Sequence, residues 1–247
     1  MRLLKALPAL LLSAALPGSG WADMTAEERE EFRDEVRAYL LENPEILTEM
    51  VGLLETRQAD AAETLDRQLV ADNRKALFED GYSYVGGAPD GDVTVVEFLD
   101  YQCGYCKRAH PEFTELLESD GRIRWIVKEL PILGPGSVLA ARAAIATLIA
   151  EGPEAYGRLN DTLMRNEGQI TEANLDRLLK SADLDPRKVR AGMDDPEVTR
   201  RLDETRALAA ALQIQGTPAF VFKDRMLRGY APTAAMEALV AESRSGG

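Results

Sequence analysis

The stretch FLDYQCGYCKRAHPEF, residues 98–113, holds both cysteines of the 247-residue chain. Cys103 and Cys106 flank Gly104 and Tyr105, and the group stands between an apolar run and a helical pattern. Two thiols at that spacing serve as a structural disulfide, as half of a metal site, or as a working dithiol couple. A disulfide closing so short a loop removes little entropy from the unfolded chain and stabilises weakly. Four-coordinate zinc needs about four ligands, and beyond the cysteines the chain offers only His110, which is followed by Pro111. Redox chemistry fits the pattern better. A cysteine in the first turn of a helix meets unpaired backbone N–H groups and the positive end of the helix dipole, and both favour thiolate over thiol. Cys103 has that place and is the expected nucleophile; Cys106, inward along the turn, is the expected resolving thiol. Neither a resident metal nor another cofactor is expected.

Such a turn has to be held at the end of a strand. The apolar run VTVVEFL from Val93 supplies one, a helical pattern follows through about Leu117, and RIRWIVKEL reads as a second strand. Helical patterns then run from about 136 to 213, before AFVFK, RMLRGY and a closing helix from Pro232. One βαβ unit, a helical insertion and a terminal ββα unit make an α/β sheet with a helical subdomain. The C-x-x-C therefore follows a strand in a βαβ setting, which is a far more specific redox signal than the four letters alone.

Residues 24–78 read as helix. Thr25 with Glu28 forms a capping box, Phe32, Val36, Tyr39 and Leu40 make one apolar stripe, and Asn43 with Pro44 restarts the helix. Ile46, Met50, Leu53, Leu54, Ala61, Leu65 and Leu69 then form a narrow seam on a heavily charged helix. A seam of that kind needs a partner, and self-association of a segment over 23–80 is the expectation. The following EDGYSYVGGAPDGDV has five Gly or Pro between Gly81 and Gly91, and reads as a linker into a second domain over 81–247.

The first 22 residues combine Arg2 and Lys5, the apolar ALPALLLSAALPG and a small-residue end at Gly20 and Ala22, the pattern of a secretory signal peptide. Its removal takes two basic residues and no acid, moving the formal charge from -13 to -15. An acidic surface excludes the basic footprint that nucleic acid or anionic lipid requires.

Three motifs together, VEFLDYQCGYCKRAHPEF, KELPILGPGS and GTPAFVF, resemble the DsbA-like thioredoxin-fold oxidoreductases of the bacterial envelope. The helical N-terminal segment is similar to that of the ScsC (suppressor of copper sensitivity) branch. The resemblance implies a thioredoxin fold with an inserted helical subdomain, preceded by an α-helical N-terminal segment, in a periplasmic protein. It implies thiol:disulfide exchange on cysteine-containing client proteins, and a membrane redox partner that is either a DsbD/ScsB-like reductase or a DsbB-like oxidase. It also implies a cis bond between Thr217 and Pro218 facing the cysteines, with Gly104, Tyr105, Thr217 and Pro218 touching the substrate.

Glu97, inside VTVVEFL, would cost several kcal/mol if buried unpaired, so it must be paired, protonated or at a wet edge. The resemblance makes it a buried acid that handles the proton of Cys106, with Lys128 as its candidate partner; a surface salt bridge is the other reading. His110, Trp125, Tyr82 and Tyr84 are expected to pack rather than react. Gly-Tyr between the cysteines stands as in the isomerase DsbC, where the strong oxidants have Pro-His, and Thr217 before the proline leans the same way. An isomerase or reductase is thus favoured, with a disulfide oxidase or a copper(I)-binding chaperone as alternatives.

Overall fold

The computed structural model describes residues 24–245, so the expected signal peptide over 1–22 lies outside the described residues. The chain divides into two compact units, one ending at Arg57 and one beginning at Gln58.

The first unit holds helix α1 (Ala26–Glu42) and the opening turns of α2 (Glu45–Asp72). The capping box forms: the Glu28 amide donates to Thr25 Oγ1 at 3.2 Å, and the Thr25 amide donates to Glu28 Oε2 at 2.8 Å. No residue of α1 is buried. Phe32, Val36, Tyr39 and Leu41 are exposed there, as are Met50, Leu53 and Leu54 in α2.

The second unit continues through α3 (Arg74–Phe78), β1 (Tyr84–Gly87), β2 (Val93–Leu99), α4 (Gly104–Asp120) and β3 (Ile123–Glu129). Five helices follow, α5 (Pro135–Glu151), α6 (Pro153–Arg165), α7 (Glu172–Ser181), α8 (Pro186–Met193) and α9 (Pro196–Ala211). The chain then returns through β4 (Ala219–Phe222), β5 (Arg225–Arg228) and α10 (Thr233–Ser245). Four of the inserted helices begin on proline, whose fixed φ suits a first turn and whose missing N–H is no loss there.

The five strands lie in the order β1-β3-β2-β4-β5. β2 and β3 are parallel across the α4 crossover, and the other neighbours are antiparallel. β2 and β3 are covered on both faces, which is why each reads as a nearly continuous apolar run instead of an alternating one. On one face Val93, Val95, Leu99, Trp125, Val127, Phe220 and Phe222 pack with α4, α10 and the inserted helices. On the other, Val96, Phe98, Ile126 and Val221 pack with Leu77, Phe78, Leu208 and Leu212.

The linker expected around 81–91 is corrected here, because Tyr84–Gly87 forms the edge strand β1, in register with Arg124–Val127 of β3. Its glycines are packing requirements. Gly87 has φ +65°, and a Cβ there would stand 2.4 Å from the Ile123 carbonyl oxygen. Among the described residues, no helix is long and apolar enough to cross a membrane.

Candidate active site

The thiol turn sits where β2 ends and α4 begins. Cys103 is the N-cap of α4, with φ −75° and ψ 117°, and Gly104 opens the helix. The N-cap position points its side chain at the free amides of the first turn. Cys103 is nearly buried, Cys106 is fully buried, and both are free thiols. The Cys103 Sγ donates to the Thr217 carbonyl at 3.1 Å, and the Thr217–Pro218 bond is cis. Tyr105, 63% exposed, projects from the same turn. A Cβ at Gly104 would meet open space. The glycine leaves the surface beside Cys103 bare.

The two sulfurs are electrostatically opposite. The Cys106 thiol, donating toward Cys103, holds the Cys103 thiol down at about 5; burial opposes it, while Thr217 and the amides of Cys106 and Tyr105 assist. The helix terminus therefore contributes, as the position predicts, but the neighbouring thiol contributes more. Burial pushes Cys106 far above its ordinary value, reinforced by the bond it gives to Cys103 and by the charges of Cys103 and Glu97.

Glu97 is 2% exposed and lies on the α4 side of the sheet with Val95 and Leu99. Burial pushes its carboxyl up to about 8. The Trp125 indole opposes that rise from nearby, although its N–H has no partner of full hydrogen-bond geometry.

The Glu97–Lys128 pair expected from the sequence does not form. In the parallel register Glu97 stands opposite Val127 and Lys128 opposite Phe98, so the two side chains leave opposite faces of the sheet. Lys128, 1% exposed, donates to the Ala76 carbonyl at 2.7 Å and to Asp80 Oδ2 at 2.5 Å. Burial works to raise the Asp80 carboxyl, but the Lys128 charge and the Ser83 hydrogen bonds outweigh it and hold the group below its ordinary value. Lys128 thus anchors the segment before β1 and is remote from the thiols' side of the sheet.

Other polar groups complete the site. Buried Asp100 accepts the Gln102 amide at 2.8 Å through Oδ1, and the Ile132 and Leu133 amides at 2.8 and 3.1 Å through Oδ2. It ties the thiol turn to the loop after β3, where Ile132 and Leu133 are exposed. Lys107 donates to the Asn166 carbonyl, joining α4 to the insertion. Glu129, at the end of β3, is buried and accepts from the hydroxyls of Tyr101 and Tyr156. The sequence carried a faint sign of both acids, since FLD and KEL each put a carboxylate at the end of an apolar run. His110, Trp125 and Tyr84 are packing residues: His110 bonds Asp161 at 3.1 Å, and Tyr84 meets Trp125 edge-on.

A nucleophile below neutral, a buried resolving thiol and a carbonyl aligned with the attacking sulfur suit disulfide exchange. The model of the DSBA-like thioredoxin domain matches residues 94–241, which contain all of these parts. The chain belongs to that family. A second model, the copper resistance protein ScsC N-terminal domain, matches residues 28–61. This DSBA-like chain is 38% identical to a thioredoxin-like oxidoreductase of Silicibacter pomeroyi, over 70% of this chain and 98% of that one, with a TM-score of 0.67. Proteus mirabilis ScsC in a transitional conformation is 30% identical, over 92% of this chain and 99% of that one, also at 0.67. The Na(+)/H(+) antiporter NhaA 1 of Salinispora arenicola is 31% identical over 165 residues, and the chain spans 25% of that curated relative's length. The family is one of thiol–disulfide oxidoreductases, and the fold is the thioredoxin-like α/β fold expected from the motifs.

Proposed function

We propose that the chain is an exported, periplasmic thiol:disulfide interchange protein that rearranges or reduces disulfides in folding envelope proteins. The observation that carries this reading is the placement of the two thiols: Cys103 is the N-cap of α4 with its Sγ 3.1 Å from the Thr217 carbonyl, and Cys106 lies buried behind it, an arrangement that lowers the first thiol and raises the second. At neutral pH the outer sulfur is a thiolate nucleophile, and the inner one keeps its proton until it is needed.

The Cys103 thiolate attacks one sulfur of a client disulfide, forming a mixed disulfide and expelling the other client sulfur as a thiolate. For reduction, Cys106 gives its proton to Glu97 in its ionised form, attacks Cys103, and releases the second client sulfur with the electrons of the broken bond. For rearrangement, a client thiolate attacks the mixed disulfide instead and regenerates the Cys103 thiolate. Thr217 stands against Cys103 with its main chain in reach of an extended client segment, while Gly104, Tyr105 and Pro218 border the approach. Asp100 and Glu129 position the turn and its surroundings.

Isomerase work benefits from two or more thiol turns facing one client, and the exposed apolar residues of α1 and α2 support self-association through residues 23–80. A membrane-bound reductase would keep Cys103 and Cys106 reduced for this role; a membrane-bound oxidase would drive the opposite flux.

Insulin reduction and recovery of scrambled ribonuclease test the reading. The wild type performs both and Cys103→Ala neither. Oxidation of reduced ribonuclease without recovery of the scrambled form would replace the isomerase by an oxidase, and copper(I) binding with no exchange at all would replace the enzyme by a binder.

A further inference from the structure

Cys106 is sealed from solvent, and a client seated on Cys103 seals the catalytic face further. Its proton nevertheless has to leave during resolution and return when the pair is reduced. Glu97 can take that proton, but it is itself buried, and a store without an outlet stalls after one event.

A second buried acid lies beside it. Leu99 is opposite Glu129 in the parallel register and Glu97 opposite Val127, so Glu97 and Glu129 leave the same sheet face as diagonal neighbours. Glu129 Oε1 accepts from Tyr101 at 2.8 Å and from Tyr156 at 2.5 Å, and Asn160 donates to the Tyr101 hydroxyl at 3.1 Å. Every donor falls on one oxygen. Glu129 Oε2 is buried with no protein partner.

Glu129 also lines a cavity of about 20 Å³, enough for one water molecule. The inner wall is Val127, Tyr156 and buried Thr205, and the rim is the half-buried Tyr82, Ser83 and Arg201. Because β3 separates β1 from β2, the chamber lies on the side of Glu129 away from Thr217 and the client approach. Ile145 and Leu148 close the rest of the chamber, and Ser83, Tyr156, Arg201 and Thr205 are its polar lining besides Glu129. A buried oxygen lacking a partner and a chamber of one-water size with polar groups around it answer each other.

We propose that Glu129, with a water held in this chamber, is the proton outlet of the resolving step: it exchanges protons with Glu97 and passes them to solvent past Tyr82 and Arg201 while a client covers Cys103. Glu129 is thus a positioning residue and not a catalytic one, and the inference rests on the dithiol reading above. The groups facing it are Glu97 and Asp100 from β2 and its end, Tyr101, Tyr84 from β1, Tyr156 from α6, and Arg201 across the chamber from α9. Burial pushes the Glu129 carboxyl up to about 8, aided by the charges of Asp100 and Glu97 and opposed by the two phenols. Two acids in that range titrate as a pair near neutral pH, suited to handing a proton on in either direction.

The test loads Cys103 of the full chain with glutathione and follows glutathione release by Cys106 across pH in wild type, Glu129→Gln and Thr205→Leu. Glutamine keeps the shape and the phenol hydrogen bonds but has no titratable proton; leucine occupies the chamber and leaves the carboxyl in place. Each variant should slow release at neutral pH by about tenfold or more, and Glu129→Gln should reduce the two-step pH profile to one step. Alkylation of Cys103 should keep its wild-type profile in both. A wild-type rate and pH profile in either variant overturns the outlet. A wild type that forms no mixed disulfide overturns the dithiol reading itself, which is a separate and recognisable result.

Discussion

The Sγ of Cys103 and the main-chain oxygen of Thr217, 114 residues apart in sequence, are 3.1 Å apart in the fold. The thiol donates this hydrogen bond, so it exists only while Cys103 is protonated. On ionisation a carbonyl faces a thiolate, and other donors must take over. The Cys106 thiol and the first-turn amides are in place for this. So is the Thr217 hydroxyl, which is buried with no other partner.

Removing those donors should therefore raise Cys103. In Cys106→Ala the thiolate absorbance should titrate well above the wild-type value of about 5, because the strongest donor is gone. Thr217→Val should give a smaller rise, of about one unit, the worth of one hydrogen bond to a charged sulfur. A Cys106→Ala profile that overlays the wild type would assign the low value to the helix terminus alone. The same variant should accumulate mixed disulfides with clients.

The strands, the crossover and the thiol turn were legible in the sequence because their signals are local: apolar runs, a first-turn cysteine, and turn residues between them. Pro218 in its motif was legible through resemblance. Lys128 was misassigned for a different reason. Its face depends on the register of β2 against β3, and shifting that register by one residue would change which side chains face Glu97. Strand β1 was read as a linker because two of its four residues are glycines, and strand propensity gives no credit for a backbone that must pass 2.4 Å from where a Cβ would sit. Asp100 and Glu129 carried only their odd placement at strand ends; their partners come from loops and helices 27 to 33 residues away.

Burial of Glu97 sets a pH dependence of stability. Its carboxyl moves from an ordinary 4.5 to about 8 in the folded chain. Between those values the native state holds a proton that the unfolded state has lost. The associated stability is full below 4.5 and is lost as pH rises through about 8. Glu97→Gln removes this dependence. In urea unfolding at pH 5 and pH 8, the wild type should lose on the order of a few kcal/mol more than the variant. Equal losses in the two proteins would mean that Glu97 is ionised and paired in the fold.

Exposed apolar residues on α1 and α2 set the next expectation. Phe32 at 58%, Tyr39 at 58% and Leu41 at 66% exposure are costly to leave in water. Light scattering should find the full chain as an oligomer and a chain lacking residues 23–78 as a monomer. A deletion through residue 78 also removes Leu77 and Phe78, which are buried in the core with residues of β2 and β3, so a cut after Arg57 is the better comparison. That variant should still reduce insulin but recover scrambled ribonuclease poorly. A monomeric full chain would remove the basis for self-association.

The reduction potential depends on which form of the couple the turn stabilises. Donors around Cys103 favour the reduced, ionised form and so make the disulfide oxidising. Tyr105, in the position where strong oxidants have histidine, is exposed and brings no positive charge to the sulfur. The couple should then lie between thioredoxin at about −270 mV and DsbA at about −120 mV, near isomerase values of about −180 mV. The gap of about 60 mV to the strong oxidant is ~2.8 kcal/mol for two electrons, within what one neighbouring charge supplies beside a partly buried thiolate. Replacing Gly104 and Tyr105 by Pro and His should raise the potential by tens of millivolts, and the bare surface at Gly104 leaves room for the change. Oxidation of reduced clients should improve and ribonuclease recovery should fall. Equilibration with glutathione measures both proteins; a wild-type value as oxidising as DsbA would show that the donors around Cys103 outweigh the missing histidine, and would favour a disulfide oxidase.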